Sequence, residues 1–145
     1  MQMRSGHQKL FLGALTLILA ATAAAQNSGT ASGYPVAKDD LTPAEQTGKG
    51  LYLRYCVGCH GKYGDGEGEN APYIDPKPRD FTLGIFKCRS TPTGTLPLES
   101  DLIHTIERGI VHSNMPSWRP LSEQNRDDLI AYVETFSKRW KTEKP

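Results

Sequence analysis

Residues 56–60 read Cys56-Val57-Gly58-Cys59-His60. Two thiols and an imidazole packed this tightly constrain the fold, because each chemistry that uses a Cys-x-x-Cys pair needs its own scaffold. A redox dithiol of the thioredoxin kind follows a buried strand. A structural zinc site needs a second ligand pair at short spacing. Covalent haem attachment is the one use that demands a His directly after the second Cys. Upstream of Cys56 the pattern is helical, and the later candidates Cys88, His104 and His112 are not spaced as a zinc pair. The haem reading gives each reactive residue a task. Cys56 and Cys59 form thioethers to the two vinyl groups, and His60 is the proximal iron ligand.

The N-terminus points to export. Arg4 and Lys9 precede or border an apolar run from Leu10 to Ala21, and small residues end at Ala23-Ala24-Ala25. A basic start, an apolar stretch too short to span a bilayer and an Ala-x-Ala site make a secretory signal, residues 1–25, cleaved after Ala25. Arg4 and Lys9 would leave with it, so 17 basic side chains become 15 against 16 acidic ones. Nothing in that balance points to nucleic acid. An exported location, periplasmic or held at the membrane if the signal stays attached, also suits thiols that are oxidised or chemically tied up.

Residues 26–41, polar with Gly, Ser and Pro, read as a flexible leader. The folded domain is expected over 42–140, with 141–145 as a tail. Thr42 can cap a helix that has Pro43 at its first position and Glu45 as capping-box partner. Gly48 lowers the propensity of that helix, which points to a close contact there. Ser100 to Arg108 reads as a second long helix, stopped by Gly109. Ser122 is a candidate cap for a last helix in which Leu129, Val133, Phe136 and Trp140 recur at helical spacing. No strand alternation is evident. The chain therefore reads as all-α, with three to five short helices and long loops. So little regular structure needs something to pack on, and a large planar cofactor supplies it.

With these residues in place, the chain resembles the class I mono-haem cytochromes c over nearly all of 42–140. That family has a Gly and an aromatic eight and four positions before the first haem Cys, and Gly48 and Tyr52 stand there. Its last helix crosses the first through a Leu and an aromatic three apart, which Leu129 and Tyr132 match. The resemblance implies a fold wrapped around one covalently bound haem c. It implies that a Pro carbonyl accepts from the proximal imidazole. Pro72 is the match, with Pro76 and Pro78 as competitors, and such a bond fixes the imidazole tautomer. It also implies Met115, in Asn114-Met115-Pro116, as the second iron ligand. Once the signal is removed, Met115 is the only methionine in the chain. His104 and His112 are then surface groups.

Arg79, Trp118 and Arg119 are candidates for bonding the haem propionates, since guanidinium forks suit carboxylates and a buried indole N–H needs an acceptor. Tyr63, Tyr73, Phe81 and Phe86 read as pocket or core aromatics. The basic run Lys138-Arg139-Trp140-Lys141 reads as a frayed helix end. Cys88 has no third thiol to pair with. A buried free thiol is the favoured reading, and an intermolecular disulfide giving a dimer is the other.

The resemblance implies a periplasmic one-electron carrier rather than an enzyme. Its partners would be a quinol-oxidising complex or dehydrogenase on one side and a terminal oxidase or reductase on the other. Membrane contact would come through those partners. The alternatives are an electron-transfer subunit of a larger oxidoreductase complex, or a gas-binding or peroxidase-like haem protein if Met115 is off the iron.

Overall fold

The structure, a computed structural model, describes residues 40–145. The expected signal and residues 26–39 of the leader lie outside the described residues. Five α-helices follow in order. They are α1 (Pro43–Tyr55), α2 (Val57–His60), α3 (Glu99–Arg108), α4 (Glu123–Glu134) and α5 (Arg139–Thr142). A single 3-10 turn, Ala71–Tyr73, lies between α2 and α3. Among the described residues there is no strand, in line with the all-α reading, and no helix is long and apolar enough to cross a membrane.

Capping sets the helix starts. Thr42 and Glu45 form the expected reciprocal box: the Thr42 amide donates to the Glu45 carboxylate at 2.6 Å, and the Glu45 amide donates to Thr42 Oγ1 at 3.2 Å. Ser122 Oγ accepts from the Asn125 amide at 3.2 Å and starts α4. At α3 the cap is Asp101, whose carboxylate accepts from the Leu98 amide at 2.9 Å and from Ser90 N and Oγ at 3.0 and 3.1 Å.

Helix α4 is the centre of the packing. It crosses α1 on one side and meets α3 on the other. A Cβ at Gly48 would run into the Asp128 carbonyl and lie 2.9 Å from Tyr132 Cβ, so only glycine lets α1 approach this closely. Tyr52, Leu129, Tyr132, Val133 and Phe136 form one core cluster, while Phe86, Leu102 and Ile130 form a second. Tyr52 meets Tyr132 edge-on at 5.5 Å and Phe136 at 5.1 Å. Each buried side chain of this size contributes about 1.5–3 kcal/mol. That outweighs the roughly 1 kcal/mol that each glycine costs a helix such as α1.

The C-terminal end departs from expectation. The apolar spacing predicts one helix to Trp140, but the chain turns after Glu134 and restarts at Arg139. Hydroxyls compete with the helical ladder here. Thr135 Oγ1 donates to the Tyr132 carbonyl at 2.7 Å, and Phe136 and Ser137 make i→i+3 bonds to Val133 and Glu134. The turn places Phe136 in the core, and Trp140 against Phe86 at 6.3 Å. Residues 141–145 are accordingly not a plain tail. Lys141 and Thr142 belong to α5, and Glu143 pairs with Arg139.

Candidate haem site

The short helix α2 holds the last four residues of the motif, with Cys56 as its N-cap, and its geometry is fixed from both ends. The Cys56 amide closes α1 on the Tyr52 carbonyl at 2.9 Å. After Gly61 the chain folds back over α2. Its amides reach the helix's own carbonyls: Gly66 to His60 at 3.0 Å, Gly68 to Cys59 at 3.2 Å and Asn70 to Gly58 at 2.8 Å. Tyr52 Oη donates to the Gly61 carbonyl at 2.7 Å from within the core. Carbonyls that a helix end leaves without partners are thus satisfied by the loop that follows.

This wiring decides which carbonyl meets His60. His60 Nδ1 lies 3.0 Å from the backbone oxygen of Arg79. With Nδ1 donating there, Nε2 is left with its lone pair, which is the form that binds a metal. Pro72, the expected acceptor, is not the partner. The loop spends residues 61–70 on the back of α2, so the 3-10 turn that holds Pro72 sits beside Gly58 and leaves Pro72 exposed. The chain returns to His60 only over 74–79. Pro76 and Pro78 border the cavity, but the acceptor falls one residue later. Burial holds the His60 imidazole below its usual range, against the raising effect of the Arg79 carbonyl. Burial, and then the neighbouring Cys59, push the Cys56 thiol up to about 12.

Facing His60 is a cavity of about 270 Å³ with largely apolar walls. Cys56, Cys59 and His60 line it, and so does Met115. Met115 is brought there by the loop after α3. Gly109 ends α3 at φ +70°, and a Cβ at that position would lie 2.6 Å from the Met115 carbonyl oxygen. The loop is then tied back: Ile110 N to Met115 O at 3.1 Å, Met115 N to Ser113 Oγ at 3.1 Å, and Trp118 N to Ile106 O at 2.9 Å. Two thiols, an imidazole with a committed tautomer and a thioether on one apolar cavity make a donor set that fits haem c.

Other candidates divide. Arg79 and Trp118 line the cavity, and the Trp118 ring packs on Tyr55 at 5.1 Å. Arg119 does not line it. Arg119 is exposed and lies 4.0 Å from Glu107. Phe81 and Phe86 line the cavity, and Phe81 stacks on His60 at 4.5 Å. Tyr73, in contrast, is 87% exposed, and Tyr63 sits at the surface with Lys62 near its ring. Cys88 is exposed rather than buried, at the cavity edge beside Lys87. His104 and His112 are exposed and off the cavity. Sequence reasoning missed Lys77 and Lys87, which line the cavity with Arg79; among the described residues no Asp or Glu lines it. A lysine in a loop carries no signal of where it points.

Comparison with known proteins bears on the family of the domain. The family profile described as Cytochrome C oxidase, cbb3-type, subunit III matches residues 43–133. Among solved structures, a chain of the Kuenenia stuttgartiensis reducing HAO-like protein complex superimposes with a TM-score of 0.67 at 39% identity. The match covers 69% of this chain and 46% of that one, so this chain spans about half the length of its structural neighbour. No curated protein matches. The chain belongs to this family of c-type cytochrome domains, which implies haem c as cofactor and electron transfer as its role.

Proposed function

We propose that this protein is an exported one-electron carrier. Its single haem c would be held covalently by Cys56 and Cys59 and ligated by His60 and Met115. One observation carries the reading: His60, its Nδ1 engaged by the Arg79 carbonyl, and Met115 border the same apolar cavity as the two thiols. A bound haem c supplies the iron(III)/iron(II) couple. The chain's own residues do the rest. Cys56 and Cys59 anchor, the Arg79 carbonyl orients the imidazole, Gly109 and Ser113 hold the Met115 loop, and Phe81, Phe86 and Leu102 exclude water. With His60 and Met115 both serving as ligands, the chain would leave the iron no open position for a substrate. The peroxidase-like alternative calls for a histidine acid–base group facing the iron, and His112, the candidate for that role, does not line the cavity.

The structural neighbour favours a second reading of the partner. That chain belongs to a multi-protein redox complex and is about twice as long as its matched part. An electron-transfer subunit docked on a larger oxidoreductase uses the same cavity and ligands. A free shuttle would purify alone; a subunit would copurify with its enzyme.

The test is the absorption spectrum of the exported protein, oxidised and reduced. A c-type spectrum with a far-red methionine–iron(III) band is expected. Met115→Ala should abolish that band and admit carbon monoxide to the reduced protein. A Met115→Ala variant with an unaltered band would remove Met115 from the iron. N-terminal sequencing should begin at Gln26, and a start at Met1 would overturn signal cleavage.

A further inference from the structure

We propose that Arg139 is a positioning residue for the cofactor cavity, acting as a latch on the loop that forms one of its walls. The inference rests on haem occupying that cavity. The loop runs from Gly84 to Gly94 and contributes Phe86, Lys87 and Cys88 to the lining. Both ends of the loop are taken by the same guanidinium. Arg139 Nη1 donates to the Gly84 carbonyl at 2.7 Å, and Nη2 donates to the Gly94 carbonyl at 2.8 Å.

The remaining edge of the fork is committed as well. Nε and Nη2 donate to the two carboxylate oxygens of Glu143 at 2.8 and 2.5 Å. A two-point grip of this kind fixes the plane of the guanidinium as well as its place. The basic run at 138–141 is therefore not a frayed end. Gly84, at φ +59°, makes the approach possible: a Cβ there would lie 2.8 Å from Ser137 Oγ and 3.0 Å from Arg139 Cδ. Behind the latch, Phe86 is buried against Leu102, Ile130 and Trp140. In mid-loop, Ser90 is held separately by Asp101 of α3.

No residue of α5 lines the cavity, and α5 lies beyond the residues the family profile matches. Arg139 thus acts at a distance, through the loop. An exposed ion pair by itself contributes little. The two carbonyl bonds are what give this one a consequence, because they close the loop as a ring with Phe86 and Lys87 inside it. Without them the Phe86–Cys88 wall is free to move outward and admit water. Burial is one of the means by which a protein sets the potential of its haem, and a wetter site favours the oxidised, more highly charged state.

The experiment compares Arg139→Ala, Arg139→Lys and Glu143→Gln with the wild-type exported protein, reading the reduction potential by spectroelectrochemistry alongside Tm. Ser122→Ala, a helix cap remote from the loop, serves as the control for lost stability alone. Arg139→Ala should lower the potential, while Ser122→Ala lowers Tm and leaves the potential in place. Arg139→Lys should fail to restore it, since one ammonium cannot span two carbonyls and a carboxylate. Glu143→Gln, a milder change that keeps both carbonyl bonds, should fall between. An Arg139→Ala protein at the wild-type potential, with Tm reduced, would overturn the latch and leave the electron-transfer reading intact. A wild-type protein without haem would overturn both.

Discussion

Met115 reaches the cavity because Gly109 turns the chain where other residues cannot. Its φ of +70° belongs to the region that favours glycine, and the Met115 carbonyl occupies the place of a side chain. Gly109→Ala should cost about 1–3 kcal/mol of stability. It should also weaken the far-red band, because the loop has to shift before an alanine fits. Urea unfolding and the oxidised spectrum check the two effects separately. A second residue-scale prediction concerns Glu134. Burial, reinforced by Glu99, raises its carboxyl from the ordinary 4.5 to about 7. The folded state therefore holds a proton that the unfolded chain releases. The stability linked to that proton is complete below about pH 4.5 and is lost as pH rises through about 7. Glu134→Gln should flatten this fall, so its Tm should exceed the wild type's at pH 8 by more than at pH 4.5. Equal differences at both values would count against it. Cavity-lining residues were legible where chemistry leaves a mark in the sequence, as at Cys56, Cys59, His60 and Met115, which the fold brings to one cavity. The imidazole's acceptor was not legible. Every residue carries a carbonyl, and only the path of the loop over α2 selects that of Arg79 over that of Pro72.

At the scale of elements, the starts of helices were readable and one end was not. Thr42, Pro43 and Glu45 act locally, so the capping box in the sequence is the box in the fold. Ser122 behaves alike, and Ser122→Ala should destabilise the protein by about 1 kcal/mol, measured by chemical denaturation. The break between α4 and α5 escaped because Leu129, Val133, Phe136 and Trp140 keep helical spacing across it. Periodicity reports which residues seek the core, and a chain that turns at Thr135 satisfies Phe136 and Trp140 as well as a straight helix does. The aromatics of the loops show the same limit. Tyr73 and Phe81 are both aromatic in sequence, yet one stands in solvent and the other lies on His60.

At the scale of the whole molecule, α1 and α3 pack along α4 and the loops between helices line a cavity. Such a chain should depend on its cofactor for a settled structure. A double variant, Cys56→Ala with Cys59→Ala, removes the anchors without lowering helix propensity. It should keep much of its far-UV circular dichroism, lose its near-UV signal and unfold without a sharp transition. A cooperative transition matching the wild type's would show that the two core clusters suffice. The loop-rich, all-α plan was legible in the sequence because small domains with little regular structure need a staple. The arrangement of the loops was not, since it follows from hydrogen bonds between distant backbone groups.

The cations at the cavity have an effect beyond the site. The full sequence is nearly balanced, 17 basic side chains against 16 acidic, yet Lys77, Arg79 and Lys87 line one cavity, and among the described residues no acid lines it. A low-dielectric cleft lined by one sign of charge focuses the field outward. The chain is thus nearly balanced in charge overall and cationic along the wall of this cavity. Electron exchange with a small anionic mediator should outpace exchange with a cationic one of similar potential, and rising ionic strength should bring the two rates together.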